Sequence, residues 1–261
     1  MAAVVAVTVV SAATVAAQTR ANRSDSIRAV AFDRLDREAR TMLSTIDCAR
    51  KTARARAAGL FGPNDSGRRG QCLRISDRPY GVFFTPDSTF TTANHMSVVD
   101  LTSQSTYSGV IDTASVLGEA KAAHEALLKG FPSFRGAKRQ FAPLSFRFDG
   151  DSIEVWLVPI GSVTAPRSTT VGGERGYVYS PDGRTMAREV DAFDRFRSIS
   201  VPDTGVAMIF SREDDLPLLS ELLVANLLHG DGREVQIVTN TYASQLTGRE
   251  PNSVWLQLRK R

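Results

Sequence analysis

The spacing of apolar residues changes period several times along the chain, and each change marks an element. Across residues 27–58, Ile27, Val30, Leu35, Ala39, Met42, Ile46 and Ala49 recur at steps of three to five with charges between them, which predicts a long amphipathic helix capped by Ser24 or Asp25. Its other face carries Arg28, Arg34, Arg37, Arg40, Arg50, Lys51, Arg54 and Arg56, interleaved with Asp33, Asp36, Glu38 and Asp47. Acids and bases a turn apart neutralise one another, so this face reads as a solvated, ion-paired surface. Gly59 should end the helix, and Gly62-Pro63-Asn64-Asp65 with the stretch from Gly67 to Gly70 reads as a loop.

Beyond Gly70 the period shortens to that of strands. Cys72-Leu73-Arg74-Ile75, Gly81-Val82-Phe83-Phe84 and Met96-Ser97-Val98-Val99-Asp100-Leu101 are β-prone runs divided by proline-containing turns. Val116, Ala120, Ala123, Ala126, Leu127 and Leu128 then form one apolar stripe of a second helix, which Gly130 and Pro132 should close. From Leu144 onward the chain reads as a compact β-rich unit. Phe146-Arg147-Phe148 and Ile153 through Val158 flank Asp149-Gly150-Asp151 as a hairpin. Gly176 through Ser180 and Arg184 through Val190 flank Pro181-Asp182-Gly183 as a second. A buried-looking strand (Val206 through Phe210) follows. A helix over 216–229 has Asp214 or Asp215 as its cap, Pro217 in the first turn and Gly230 as its stop. Strands at Val235 through Val238 and Val254 through Leu258 complete the unit.

The expected fold class is therefore α+β: an N-terminal helical segment followed by a mainly antiparallel sheet with two packed helices. Three parts are expected: a signal peptide over 1–17, a helical segment with its glycine-rich loop over 18–70, and an α+β domain over 71–261. With 261 residues, 42% hydrophobic and 23% charged, the chain is too apolar for wholesale disorder and long enough to bury a sizeable core. The net charge of +4 is carried by 27 Arg and only 5 Lys spread along the chain, which argues against a dedicated nucleic-acid-binding tail.

Residues 1–17 contain no charged side chain and end in Val15-Ala16-Ala17, a small-residue cleavage pattern, although no basic residue precedes Arg20. The expectation is export to the periplasm or exterior, with no transmembrane span in the mature chain. Cys48 and Cys72 are the only cysteines, and in an oxidising compartment they should form a disulfide across the glycine-rich loop. A zinc site would need further Cys or His ligands at suitable spacing, and none is present.

Catalytic patterns are sparse. His124-Glu125 opens like a zinc-protease helix, but position 128 is Leu where the second His would stand. His95 lies in an apparent turn, and His229 belongs to a last helical turn, where the helix dipole favours a cation. There is no Gly-x-Ser-x-Gly elbow and no phosphate loop. Gly172-Gly173-Glu174 leads into a strand and reads as a turn. Asp149/Asp151, Asp191/Asp194 and Glu213/Asp214/Asp215 read as turn and cap residues. No catalytic, metal or cofactor-binding residue is assigned and no cofactor is expected.

From Val116 to Leu258, the helix before a Trp-bearing strand, the Gly172-Gly173-Glu174 turn into the Ser180-Pro181-Asp182-Gly183-Arg184 hairpin, and the strand, acidic loop, Pro217 helix and strand ending are similar to a group of uncharacterised secreted bacterial proteins whose layout resembles the JAB/MPN metal-isopeptidase fold. Active members carry His-x-His after the strand and Ser-x-x-Asp at the next helix start. Here Ile209-Phe210-Ser211 occupies the first place, and Ser220 is followed by Leu223. The resemblance thus implies the fold without its zinc chemistry. The expected function is a non-catalytic binding or scaffold domain at the cell envelope, with a protein or envelope polymer as partner and Tyr177, Tyr179, Phe193, Phe196 and Trp255 as candidate contact aromatics. The alternative is a hydrolase whose carboxylates, for example Asp100, Glu125, Glu174 and Asp215, gather from separate loops.

Overall fold

A computed structural model describes residues 12–60, 69–75, 78–134, 141–147, 152–161, 168–190, 196–211, 215–248 and 252–260. The expected disulfide is present between Cys48 and Cys72. The fold is α+β with mainly antiparallel sheets. Helix α1 spans Ala12–Ala57. The first sheet follows as β1 (Arg69–Ile75), β2 (Arg78–Pro86), β3 (Ala93–Asp100) and β4 (Ser105–Thr106), paired in sequence order. Helix α2 is Thr113–Phe134. Strands β5 (Phe141–Arg147), β6 (Ile153–Pro159), β8 (Arg175–Tyr179) and β9 (Met186–Val190) make a second sheet, while β7 (Ser168–Gly172) pairs with β10 (Phe196–Ser200). Last come β11 (Ala207–Phe210), helix α3 (Leu219–Gly230), β12 (Val235–Val238), β13 (Tyr242–Thr247) and β14 (Val254–Arg259). These four strands form a sheet in the order 11-12-13-14, with β11 parallel to β12 and the remaining pairs antiparallel. The strands are thus shared among four small sheets rather than one.

Both hairpins read from turn chemistry are present. Leu144 pairs with Trp156 and Arg147 with Ile153, and Tyr179 pairs with Met186 across a turn in which Gly183 adopts φ 70°. Gly118 of α2 lies so close to that turn that a Cβ on it would stand 2.7 Å from the Pro181 carbonyl. Residues 149–151 of the first hairpin lie outside the described residues.

Every residue of β6 is buried because helices cover both of its faces. Ile153, Val155 and Leu157 meet Ala122 and Ala126 of α2. Trp156 and Val158 enter the main core with Phe32, Ala39, Met42 and Ile46 of α1 and Leu222, Leu223 and Leu228 of α3. The N-terminal helix therefore shares its core with the 71–261 unit. Tyr80, Val82 and Phe84 of β2 form a further cluster with Val116, Leu117 and Ala120.

Several local readings need correction. On α1, Ile27, Val30 and Ala49 face solvent, and the described buried positions are Arg28, Phe32, Glu38, Ala39, Met42, Ile46, Cys48, Thr52 and Ala55. Its first described buried position is an arginine, whose guanidinium lies 3.4 Å from the Tyr242 ring centre. Apolarity alone cannot anticipate this, because the stem and planar head of Arg can pack like a hydrophobe. Helix α2 continues through Gly130 and Pro132, and Leu127 and Leu128 are exposed rather than part of its stripe. Helix α3 begins at Leu219 with Leu218 at its N-cap, so Asp215 does not cap it and Pro217 precedes its first turn, while Asp214 lies outside the described residues. Its amino end is capped by groups distant or internal to it: the amide and hydroxyl of Ser220 both donate to Glu174 Oε1 (3.1 and 3.0 Å), and the Leu218 amide donates to Glu221 Oε2 (3.1 Å). The carboxyl oxygens accept there from amides that have no partner within the helix.

Candidate functional site

In β11–β14 successive side chains alternate between two faces. The inner face packs on the helices. Ala207, Ile209, Val235, Ile237 and Leu246 are buried there, and α1 fastens the far strand with polar groups. Trp255 Nε1 donates to Asp36 Oδ1 (2.8 Å), Arg40 donates to Ser253 Oγ (2.9 Å), and Arg28 donates to the Gln257 side chain and to the Asp215 carbonyl (2.9 Å). Phe32 meets Trp255 edge to face at 5.6 Å. The ion pairs expected along α1 do occur, as in Arg34–Glu38 (2.9 Å) and Lys51–Asp47 (2.7 Å). Arg28 and Arg40 correct the reading of a purely solvated charged face, since both reach across to the strands.

The outer face is different in kind. Register places Met208 opposite Gln236, Gln236 opposite Gln245, and Gln245 opposite Leu256. The adjacent row is Phe210, Val238, Ala243 and Leu258, and Thr247 faces Val254 beyond them. None of these ten positions carries a charge. The large side chains are open to solvent: Met208 41%, Phe210 61%, Val254 57%, Leu256 56% and Leu258 72% exposed. A solvated face of an antiparallel sheet ordinarily alternates to polar residues. Here it presents on the order of 500 Å² of apolar side chain, at the upper end of what a monomer's largest patch shows and in the range typical of interaction sites. The strand over 206–210, read as buried, is therefore buried on one face only. The stretch Ile209-Phe210-Ser211, where the JAB/MPN resemblance would place metal ligands, ends β11 with Phe210 outward.

The aromatics proposed from sequence as contacts lie elsewhere. Tyr177 and Tyr179 are buried against α2, and burial pushes the Tyr179 hydroxyl up to about 12. Trp255 and Phe196 are half-buried, with Trp255 turned inward and Phe196 meeting Phe141 edge to face at 6.1 Å. Phe193 lies outside the described residues. The signal that locates the patch is apolar residues at both parities of β11 and at alternate positions of β14, Val254, Leu256 and Leu258.

Two cavities flank α2. One of about 440 Å³ is lined by Phe90, Thr91, Asp112, Arg147, Asp182 and Arg184 among others. Its acids are already engaged. Asp112 Oδ1 accepts from the Ala114 and Ser115 amides (3.1 and 3.2 Å), capping α2. Asp182 accepts from the Ser180 hydroxyl and the Arg184 amide (2.5 and 3.1 Å), which hold its carboxyl below the usual range. The second, about 230 Å³, contains Gln71, Cys72 and Glu119. Burial pushes the Glu119 carboxyl up, against the opposing effect of Arg147 at 3.2 Å and Gln71 at 3.1 Å.

The four carboxylates named for a hydrolase line neither cavity. Asp100 accepts the Thr102 and Ser103 amides in its own turn, Glu125 pairs with Lys121 at 2.7 Å, and Glu174 caps α3 from a fully buried position. Asp215 offers its carbonyl to Arg28. The residues Asp149, Asp151, Asp191, Asp194, Glu213 and Asp214 lie outside the described residues. His124 stacks near Phe90 at 5.4 Å, and His229 Nδ1 lies 3.2 Å from the Arg233 carbonyl. His95, read as a turn residue, sits in β3 with φ 56° beside a register shift. Among the described residues no three His, Cys, Asp or Glu side chains gather as a metal site, and no helix is long and apolar enough to cross a membrane. No protein-family model, curated protein or solved structure matches the chain.

Proposed function

We propose that the protein is an exported, non-catalytic binding or scaffold domain that docks a protein partner through the outer face of the β11–β14 sheet. One observation carries the reading: none of the ten outward positions described on that face carries a charge, while Phe210, Leu256 and Leu258 stand out from it into solvent. Holding such a surface in water is unfavourable, and covering it recovers roughly 25 cal/mol per Å² before the costs of association. The inner-face contacts to α1 hold β14 in place, so little ordering is required on binding. Export is supported by the uncharged leader and by the Cys48–Cys72 bond, which persists best in an oxidising compartment.

The test is the native mass of the protein in a detergent-free extract of its host's envelope fraction. The wild-type chain is expected in a complex heavier than one chain, and Leu256→Lys is expected to release it as a single chain. A wild-type protein found in the cytosol, or a complex that survives the substitution, would sink the proposal.

A further inference from the structure

We infer that the partner seated on this face is a second copy of the same chain, in a two-fold dimer that packs sheet on sheet; the inference rests on the reading of the face as a docking surface. Relief is the first argument. The edge strands β11 and β14 carry exposed Phe210, Leu256 and Leu258, whereas Val238 and Ala243 on the central strands are half-buried. Two ridges thus flank a shallow trough. A two-fold axis along the middle of the sheet sets the β11 ridge of each copy against the β14 ridge of the other and brings the two troughs face to face, with the sheets about 10 Å apart and inclined by about 30°.

Charge is the second argument. At the two-fold axis of an isologous contact a residue meets its own counterpart, so an exposed charge at the centre would face its like. The ten outward positions carry none. The polar groups present at the centre, Gln236 and Gln245, are neighbours across β12 and β13, and each amide both donates and accepts, so a second copy can satisfy them.

Area is the third. Pairing the two apolar patches removes about 1,000 Å² in total, the level that a specific interface needs, and their half-buried surrounds add to it. A single small peptide would leave much of a four-stranded face uncovered.

Sedimentation velocity on the purified full chain tests this, using wild type, Leu256→Lys and Phe210→Lys on the order of 10 µM, a concentration at which a micromolar dimer is populated. Both substitutions are at solvent-facing positions, and a circular-dichroism melt checks that each variant folds. The expected result is twice the single-chain mass for wild type and one chain for both variants, with melting curves unchanged apart from the loss of dimer linkage. A wild-type protein of single-chain mass would overturn the dimer. So would a dimer unaffected by both lysines. If the wild type is a single chain in isolation while its envelope complex still depends on Leu256, the docking face stands and the second copy is replaced by a different protein.

Discussion

Opening the Cys48–Cys72 bond should weaken the fold by an amount that loop entropy fixes in advance. The two cysteines are 24 residues apart and join the carboxyl-terminal half of α1 to β1. Restricting an unfolded loop of that size stabilises the folded chain by about 3.5 kcal/mol at room temperature. Cys48 is buried with Ala55, Phe83, Val99 and Leu101, so Cys48→Ala adds a small loss of packing. Comparing the wild-type chain unfolded with and without a thiol reductant separates the two effects, since reduction leaves both sulfurs in place. With a urea dependence of about 3 kcal/mol per molar for a chain of this size, the midpoint should fall by about 1 M on reduction. The double variant C48A/C72A should match or fall slightly below the reduced protein and show no response to reductant. Superimposable oxidised and reduced curves would refute the reasoning. They would mean that the cross-link does not restrict the unfolded ensemble, or that the bond is absent in solution.

Glu174 is fully buried, its Oε2 atom lacks a hydrogen-bond partner, and burial pushes its carboxyl up. The folded state therefore holds that proton more tightly than the unfolded state. Its contribution is intact below the ordinary carboxylate range and is lost as pH rises from there through the folded value; Glu119 acts in the same sense. Urea midpoints measured from pH 4.5 to 8 should thus fall less steeply with pH in Glu174→Gln than in wild type, and a steeper fall would contradict this. Glu174→Ala should instead cost about 2–3 kcal/mol, because the Ser220 amide and hydroxyl lose their acceptor. Removing Arg197, which pairs with the buried Glu221, should cost about 3–5 kcal/mol in Arg197→Ala. A smaller loss in chemical denaturation would show that water reaches that carboxylate. Gly118→Ala should cost about 1–3 kcal/mol by overpacking, since its Cβ would press on the Pro181 carbonyl. A thermal melt identical to wild type would show that the turn can move away.

Local chemistry made the hairpins and the disulfide legible. Pro181-Asp182-Gly183 sets its own backbone angles, and two cysteines flanking a glycine-rich loop have few other uses. Helix ends were less legible because distant residues decide them. The start of α3 is fixed by Glu174, 46 residues upstream of the Ser220 it binds, and no local cap signal reports that contact. The burial of Arg28 likewise depends on Tyr242 and Gln257, far along the chain. Strand β13 was not legible because Tyr242–Thr247 is short and its polar Ser244 and Gln245 are adjacent, which breaks the alternation that marks a strand, yet it supplies Ala243 and Gln245 to the outer face. The patch itself is readable in hindsight. Met208 and Phe210 alternate with Ala207 and Ile209, so both parities of β11 are apolar, and only the packing of α1 and α3 on one side decides which parity is left in water. The four proposed carboxylates were unreadable in another sense, since acids are common and their separation in space depends on topology.

The central claim, that the outer face of the last sheet is covered when the protein is at work, is met most directly by photo-crosslinking in the intact host. A benzophenone amino acid replaces Leu256, Phe210 or, as a control, solvent-facing Arg54 on α1. Covalent adducts are expected from positions 256 and 210 and not from 54. Positions 256 and 210 that yield no adduct, or no more than position 54 does, would contradict the claim.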